Sequence, residues 1–286
     1  MHHIPFTLYS GAGNEFVVID AFHLPKIFGT IKLKALAQTV CDRKGMIGSD
    51  GMIVLARSRK APFLMNFYNP DGSFGALCGN GARCAVQAAE DFKIVETVAT
   101  SFEVLDQIVR AERPTPETLR VYYTDPKKIK LKFKLAVKGE LVTTSYVDLG
   151  SQHAVIFFNE FEKVDGASIE TIDIARLGTE VRHHRDFEPN GANANFVEVR
   201  TDEIGEYLRI RTFERGVEGE TLACGTGCMS TAIAAIGLQK VLALPVRLLT
   251  QSGEFVKVGF TMNENRVHHL WLEGGVIKGK SGVITV

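Results

Sequence analysis

The stretch FGALCGNGARCAVQAA, residues 74–89, places a cysteine directly before a glycine-rich turn and an alanine-rich segment. A second stretch, TLACGTGCMSTAIAA at residues 221–235, repeats this arrangement, and its Cys224 lies 146 positions after Cys78. The segment behind each cysteine is apolar or small on every side, and this pattern is typical of a buried helix. The sequence therefore predicts two buried helices, each of which begins directly after a cysteine.

Other blocks of sequence also recur in the two halves of the chain, in the same order and at offsets of 137 to 146 positions. They are a strand-like block (13–20 and 150–157), a helical pattern (31–44 and 169–184) with a strand behind it (51–56 and 195–200), and a third block (65–72 and 210–219). With the cysteine motif these make four blocks, and chance similarity rarely preserves the order of four blocks. The chain is therefore predicted to be a duplication of one α/β unit.

The duplication leads to a definite fold class. We expect an α/β (α+β) fold with two pseudo-symmetric domains, each a mixed, mostly antiparallel β-sheet or barrel wrapped around a central helix. The expected domains are 1–125, to which a last strand at 276–286 returns, and 126–275. PDG (70–72) and EGG (273–275) are predicted turns between strands. The two helix N-termini, with their cysteines, are expected at the seam between the domains.

Composition excludes several classes of protein. The chain has 286 residues, 45% of them hydrophobic and 23% charged, and its formal net charge is zero. The locally basic KKIKLKFKLAVK (127–138) alternates lysines with apolar residues, which predicts a strand with one solvated face. Nucleic acid and membranes are therefore not expected partners. No apolar run reaches the roughly 18 residues of a membrane span, and the N-terminus lacks a signal pattern, so we expect a cytoplasmic protein.

The cysteines are expected to be reduced, because five of them without a C-x-x-C pair do not form a disulfide framework. Cys41, Cys84 and Cys228 have no counterpart in the other half and are predicted to be structural. A metal site built from Cys78, Cys84, Cys224 and Cys228 is an alternative, but their spacing fits no standard zinc arrangement. No metal is expected.

A cysteine at a helix N-terminus can be chemically active. Unpaired N–H groups and the helix dipole stabilise a thiolate, which predicts a thiol pKa lowered toward neutrality. The same groups can hold a carboxylate, and neighbouring glycines let it approach the backbone. Two such thiols on opposite faces of one carbon could take a proton from one face and deliver one to the other. That chemistry inverts a stereocentre.

Three motifs carry a resemblance to a known family. GAGNEFVVID (11–20), NPDGSFGALCGNGARC (69–84) and FERGVEGETLACGTG (213–227) together resemble the diaminopimelate epimerase family, and the resemblance spans nearly the whole chain. It implies a cofactor-independent isomerase of lysine and peptidoglycan-precursor biosynthesis that interconverts LL- and meso-diaminopimelate without pyridoxal phosphate. It also implies that Cys78 and Cys224 are the acid–base pair. A homodimer is the expected assembly.

The same resemblance implies roles for further residues. Gly79–Asn80 and Gly225–Thr226 would bind the reacting α-carboxylate through the helix N-termini, and His153 and Glu214 would tune the thiols. The substrate, particularly its distal end, would be held by Asn14, Asn69, Asn193, Glu214 and Arg215. Five of these residues have a structural alternative: Asn14 and Asn69 could be turn residues, His153 a core histidine, and Arg215 and Glu214 partners in surface ion pairs.

The sequence departs from the family pattern at three places. Ser151 stands where many members have an asparagine, Gly51 stands where many have a glutamine, and one extra residue precedes Cys224. The first two departures concern side chains that would contact substrate, so they bear on distal specificity. None of the three affects the cysteines or the glycines beside them.

Three alternative functions stay open at this point. Proline and hydroxyproline racemases also use paired cysteines, although the first motif there usually carries a histidine. A racemase with altered distal specificity is favoured by Ser151 and Gly51. A non-catalytic thiol redox or metal-binding module belongs to another class, and the metal content and absorbance of the purified protein would distinguish it from an epimerase.

Overall fold

The computed structural model describes residues 3–24, 29, 31–75, 77–96, 98–160, 168–264 and 266–285. The chain divides into two compact units: unit 1 is Met1–Tyr122 with Glu273–Val286, and unit 2 is Tyr123–Leu272. Among the described residues, no helix is both long enough and apolar enough to cross a membrane.

The described strands and helices are numbered in chain order. The strands are β1 (His3–Gly11), β2 (Asn14–Asp20), β3 (Gly51–Ala56), β4 (Leu64–Tyr68), β5 (Ala99–Val104), β6 (Gln107–Thr115), β7 (Thr118–Tyr122), β8 (Lys128–Val137), β9 (Glu140–Asp148), β10 (Gln152–Phe157), β11 (Asn193–Asp202), β12 (Gly205–Glu214), β13 (Gly219–Thr221), β14 (Val246–Leu249), β15 (Phe255–Asn263), β16 (Arg266–Gly275) and β17 (Ile277–Thr285). The helices are α1 (Leu33–Cys41), α2 (Gly79–Asp91), α3 (Ile174–Arg182) and α4 (Gly225–Gly237), and a 3₁₀ turn covers Arg185–Phe187.

Both units pair their strands in the same order. In unit 1, β17–β1 and β1–β2 are antiparallel, β2–β3 is parallel, β3–β4 antiparallel, β4–β5 parallel and β5–β6 antiparallel. Unit 2 repeats the series as β8–β9, β9–β10, β10–β11, β11–β12, β12–β14 and β14–β15. The helices fall between equivalent strands: α1 and α3 before β3 and β11, α2 and α4 before β5 and β14. The predicted duplication and mixed, mostly antiparallel fold class are confirmed.

Strands surround one helix in each unit. Helix α2 contacts β1, β2, β3, β4 and β7, and helix α4 contacts β9, β10, β11 and β15. Both helices begin directly after a cysteine, as predicted, and most of their side chains are buried. Small residues make this possible because strands on several sides leave little room. Enlarging Ala85, which is 0% exposed, would overpack the core at a cost of about 1–3 kcal/mol.

The other two α-helices each pack one face against the core of their own unit. Helix α1 buries Leu36, Ala37 and Val40 in the core of unit 1, and α3 buries Leu177 and Val181 in the core of unit 2. Their apolar residues recur at three- and four-residue spacing, as expected of amphipathic helices.

One predicted turn is wrong. The EGG sequence at 273–275 forms the end of strand β16 and not a turn. Glu273 is 3% exposed, and its carboxylate accepts hydrogen bonds from the Thr118 hydroxyl and the Arg120 guanidinium. A buried carboxylate with these two hydrogen-bond partners is stabilised inside the sheet, which outweighs the turn preference of two glycines.

Candidate active site

Cys78 and Cys224 occupy the same position in the two units. Each is the N-cap residue of its central helix and has an extended backbone, with φ −90° and ψ 122° at Cys78 and φ −114° and ψ 111° at Cys224. The Gly81 N–H donates to Cys78 Sγ at 3.5 Å. Each thiol therefore lies at the helix end where backbone N–H groups and the dipole favour negative charge.

The two thiols differ in exposure, and burial affects the acidity of Cys224. Cys78 is partly exposed, whereas Cys224 is only 6% exposed. Burial and the Glu214 carboxylate raise the pKa of Cys224 well above its ordinary value, although the Thr226 hydroxyl and the Gly227 N–H act in the opposite direction. The predicted lowering of the thiol pKa is thus wrong for Cys224. Loss of hydration outweighs the N–H groups of the helix terminus.

Glu214 lies beside Cys224, at the end of β12. Its carboxyl group forms a hydrogen bond with the Cys224 thiol, and burial raises the pKa of Glu214 above its usual range. A carboxylate with a raised pKa is a stronger base than one in water, and it needs only a hydrogen-bond contact to accept a proton. The structure therefore brings together a buried thiol and a group that can take its proton.

His153 is connected to the same thiol through one hydroxyl group. It is fully buried on β10. Its Nε2 lies 2.9 Å from Thr226 Oγ1, which in turn lies 3.5 Å from Cys224 Sγ. Burial lowers the pKa of His153 to about 3. The imidazole is therefore neutral at physiological pH.

Asn193 and Arg215 form a second cluster in unit 2. Asn193 Nδ2 donates to Ser151 Oγ at 2.9 Å and to the Gln152 carbonyl at 2.8 Å, while its Oδ1 accepts from the Arg215 N–H at 2.8 Å. The Arg215 guanidinium donates to Gln152 Oε1 at 2.7 Å. In the part of the chain that the structure describes, no carboxylate lies within ion-pair distance of Arg215. The expected alternative of a surface ion pair is therefore absent there, and the charge is available to an anion.

In unit 1, the equivalent region contains a chain of three hydrogen-bonded polar side chains. The Arg83 guanidinium donates to Asn80 Oδ1 at 2.9 Å, and Asn80 Nδ2 donates to Asn14 Oδ1 at 2.7 Å. Arginine has no acceptor, so it fixes the orientation of the Asn80 amide and through it that of Asn14. Nδ2 is consequently the donor side of the Asn14 amide, and it donates to Asp50 Oδ2 at 3.4 Å. Sequence reasoning missed Arg83, although it lies inside the first cysteine motif and is fully buried.

Asn69 is a predicted site residue whose side chain stabilises a turn. Its Nδ2 donates to Ser73 Oγ at 2.9 Å, and its backbone N–H donates to the Ser73 carbonyl at 2.9 Å. Between the described residues, no hydrogen bond joins Asn69 to Asn14 or Asn80. The structure thus matches the alternative interpretation of Asn69 as a turn residue.

The glycine at position 51 has a structural reason. A Cβ atom there would clash with the Phe67 ring on the adjacent strand β4. A longer side chain would have to displace a ring that is only 7% exposed. The absence of a glutamine at this position is therefore coupled to the presence of Phe67.

Asn195 is a second residue that sequence reasoning missed. It is fully buried on β11 beside the glycine that comes three residues after Cys224. A Cβ atom on Gly227 would lie only 2.5 Å from Asn195 Oδ1. The only sequence signal for this residue was a polar side chain in a strand whose neighbours are apolar.

The chain is similar to known proteins over nearly its whole length. The family model for diaminopimelate epimerase matches residues 6–129 and 145–268. The diaminopimelate epimerase of Chlorobaculum tepidum is 37% identical over 278 residues, which cover 97% of this chain and 100% of that protein. The one from Aquifex aeolicus is 34% identical and covers 96% of this chain and 95% of its own length.

Solved structures share the fold at low identity. A phenazine biosynthesis protein of the PhzF family from Bacillus anthracis superposes with a TM-score of 0.76 at 15% identity, with full coverage of both chains. A probable proline racemase from Agrobacterium radiobacter gives a TM-score of 0.68 at 16% identity, covering 99% of this chain and 93% of that one. These likenesses concern the fold alone. With its two matched motifs and near full-length relatives, this chain belongs to the diaminopimelate epimerase family.

Proposed function

We propose that this chain is a diaminopimelate epimerase, an isomerase that interconverts LL- and meso-2,6-diaminopimelate. The observation that carries the proposal is the matched pair of N-cap cysteines, Cys78 and Cys224, in a chain of this family. One thiolate removes the α-proton from one face of the substrate carbon, and the opposed thiol delivers a proton to the other face. The products are the inverted stereocentre and a pair of thiols with exchanged protonation states.

The helix N-termini supply the electrostatic part of the reaction. Backbone N–H groups at Gly79–Asn80 and Gly225–Thr226 bind the α-carboxylate of the substrate, where negative charge grows as the α-proton leaves. Glu214 accepts the proton of Cys224 when that thiol is the base. This role is supported by the hydrogen bond between the two groups and by the raised pKa of Glu214.

The distal end of the substrate determines specificity. Arg215 pairs with the distal carboxylate, a role supported by its having no carboxylate within ion-pair distance among the described residues. Asn193 and Asn14 contribute oriented amides, and Glu214 contributes a carboxylate for an ammonium group. Asn69 contributes only if the substrate displaces its contact with Ser73. A small monocarboxylic substrate such as proline would leave the Arg215 charge unmatched.

Units 1 and 2 are proposed to act as the two catalytic domains. We further propose a homodimer in the cytoplasm, by resemblance to the family. Sedimentation of the purified protein tests the assembly, because a monomer at micromolar concentration contradicts it.

The direct test follows hydrogen exchange and stereochemistry together. The purified protein is incubated with LL-diaminopimelate in deuterated water, with L-proline and L-lysine as control substrates. We expect meso-diaminopimelate that carries deuterium at the inverted α-carbon, and no inversion of either control. Inversion of proline at a comparable rate, or no inversion of diaminopimelate, contradicts the proposal.

A further inference from the structure

In unit 2, which carries Cys224, three buried polar side chains lie close together. His153 and Asn195 are 0% exposed and Asn193 is 2% exposed. A buried polar group destabilises a fold by about 1–3 kcal/mol unless its hydrogen bonds are made inside the protein. Such a cluster therefore has a structural or a functional reason.

Unit 1 shows that the fold does not need these polar groups. His153 pairs with the first residue of β11, and Phe16 pairs in the same register with the first residue of β3. Asn195 is the third residue of β11, and Ile53 is the third residue of β3. The same two positions thus hold apolar side chains in unit 1, both nearly or fully buried. The polar pair is special to the unit that carries Cys224.

One backbone contact and one hydroxyl contact fix the orientation of the Asn195 amide. Its Nδ2 donates to the Ala154 carbonyl at 2.9 Å, and a carbonyl oxygen can only accept. Its Oδ1 accepts from Thr212 Oγ1 at 3.0 Å. The second hydrogen of Nδ2 is left to donate to His153 Nδ1, which lies 3.2 Å away. His153 Nδ1 is therefore an acceptor and carries no hydrogen.

The neutral imidazole must then carry its hydrogen on Nε2. Thr226 Oγ1 is the acceptor for this hydrogen, at 2.9 Å. Asn193 Nδ2 lies 3.4 Å from the same nitrogen, but its hydrogens are donated to Ser151 and to the Gln152 carbonyl. Asn193 therefore does not compete for His153 Nε2.

Thr226 links the hydrogen bond of His153 to the Cys224 thiol. Because its oxygen accepts from His153, its own hydrogen is free to point elsewhere, and Cys224 Sγ lies 3.5 Å away. A hydroxyl that donates to sulfur stabilises the thiolate over the thiol.

We propose that Asn195 is a positioning residue that holds His153 in its Nε2–H tautomer, so that His153 donates to Thr226 and Thr226 donates to Cys224. In this arrangement His153 is a hydrogen-bond donor and not a base, because the lone pair on its Nδ1 already accepts a hydrogen bond from Asn195. Glu214 is then the group that takes the Cys224 proton. The catalytic consequence rests on the proposed function, whereas the tautomer itself does not.

The first experiment reads the tautomer without any catalysis. Protein labelled with ¹⁵N-histidine is examined by NMR, with a His153→Gln sample to assign the signals. We expect His153 Nε2 to be protonated and Nδ1 to be unprotonated. In Asn195→Asp, where a carboxylate can only accept, we expect the hydrogen to move to Nδ1. A wild-type protein with its hydrogen on Nδ1 overturns the proposal, whether or not the chain is an epimerase.

The second experiment separates a donor from a base. A glutamine at 153 can place an amide N–H near the position of Nε2, whereas an asparagine reaches only the position of Nδ1. We therefore expect His153→Gln to keep a kcat about tenfold or more above that of His153→Asn. Equal losses in both variants would mean that His153 exchanges protons, and this overturns the donor role.

A third variant tests the proposal if Asn195→Asp does not fold. Asn195→Leu copies the apolar side chain that unit 1 has at Ile53. We expect a folded protein with kcat reduced about tenfold, little change in KM, and slower alkylation of Cys224 because its donor is no longer fixed. Unchanged alkylation of Cys224 in folded Asn195→Leu contradicts the proposal independently of turnover.

Discussion

Gly227 and Asn195 approach each other so closely that a Cβ atom on the glycine would lie 2.5 Å from Asn195 Oδ1. A Cβ atom on Gly81, the equivalent glycine of unit 1, would be in ordinary van der Waals contact, with Ile53 Cδ1 nearest at 3.4 Å. A side chain at Gly227 would therefore clash with Asn195, whereas one at Gly81, the second glycine of the other motif, would not clash.

This difference predicts unequal effects of the same substitution. Gly227→Ala is expected to lower the free energy of unfolding by about 1–3 kcal/mol, because the buried Asn195 network must move. Gly81→Ala is expected to be neutral or to stabilise by up to about 1 kcal/mol, since alanine is the better helix residue. Urea unfolding of both variants measures the difference. Similar midpoints for the two variants contradict it.

Both matched cysteines are expected to be essential. Cys78→Ala and Cys224→Ala should each reduce kcat by at least about 10²–10⁴-fold, because each removes one of two proton-transfer groups. Cys84→Ala and Cys228→Ala are the controls, since these buried cysteines lie in the same two helices without a counterpart. Steady-state assays with LL-diaminopimelate test the set. Near wild-type turnover by either of the first two variants rejects the two-base assignment.

Glu214→Gln is expected to speed the alkylation of Cys224 and to slow the turnover of the enzyme. The Glu214 carboxylate raises the pKa of the thiol, so its removal should lower that pKa and speed alkylation of Cys224 by iodoacetamide at pH 8. Turnover should fall, since the proposed base is gone. Mass spectrometry of the Cys224 peptide gives the alkylation rate. Slower alkylation in the variant would show that the carboxylate stabilises the thiolate instead.

The buried His153 should make stability depend on pH. Its pKa is about 3 in the folded chain and about 6.5 when unfolded. Between these values the unfolded chain binds one more proton, so stability is lost as pH falls from about 6.5 toward 3, with a slope of about 1.4 kcal/mol per unit. His153→Gln lacks this contribution. We expect its unfolding free energy to fall less steeply than that of the wild type between pH 6 and 4, and parallel curves would contradict the burial of a neutral imidazole.

Arg215 is expected to serve the substrate more than the fold. Arg215→Ala should raise KM for diaminopimelate about 10–100-fold, the loss of a charge-assisted hydrogen bond. Arg247→Ala is the control, because that arginine already pairs with Asp202 and should leave KM unchanged. Circular dichroism checks that both variants fold. Equal KM values in the two variants would remove Arg215 from the binding site.

Much of the fold followed from local pattern. The two buried helices were predicted because small and apolar residues cover every face of the segments behind the cysteines, and the repeated blocks predicted two α/β units of the same build. The EGG sequence was misread because two glycines indicate a turn, while the ion pair of Glu273 with Arg120 involves residues more than 150 positions apart. Distant partners of this kind leave no local signal.

For the candidate active site too, some features follow from local sequence and others only from the tertiary structure. The sequence by itself determined the duplication, the matched positions of Cys78 and Cys224, and their place at helix N-termini, because helix caps and periodicity are properties of neighbouring residues. Only the tertiary structure decided that Cys224 is buried against Glu214 and that its pKa rises. It also decided that Asn195, His153 and Thr226 form one directed line, since burial and hydrogen-bond direction depend on residues brought together from separate strands and a helix.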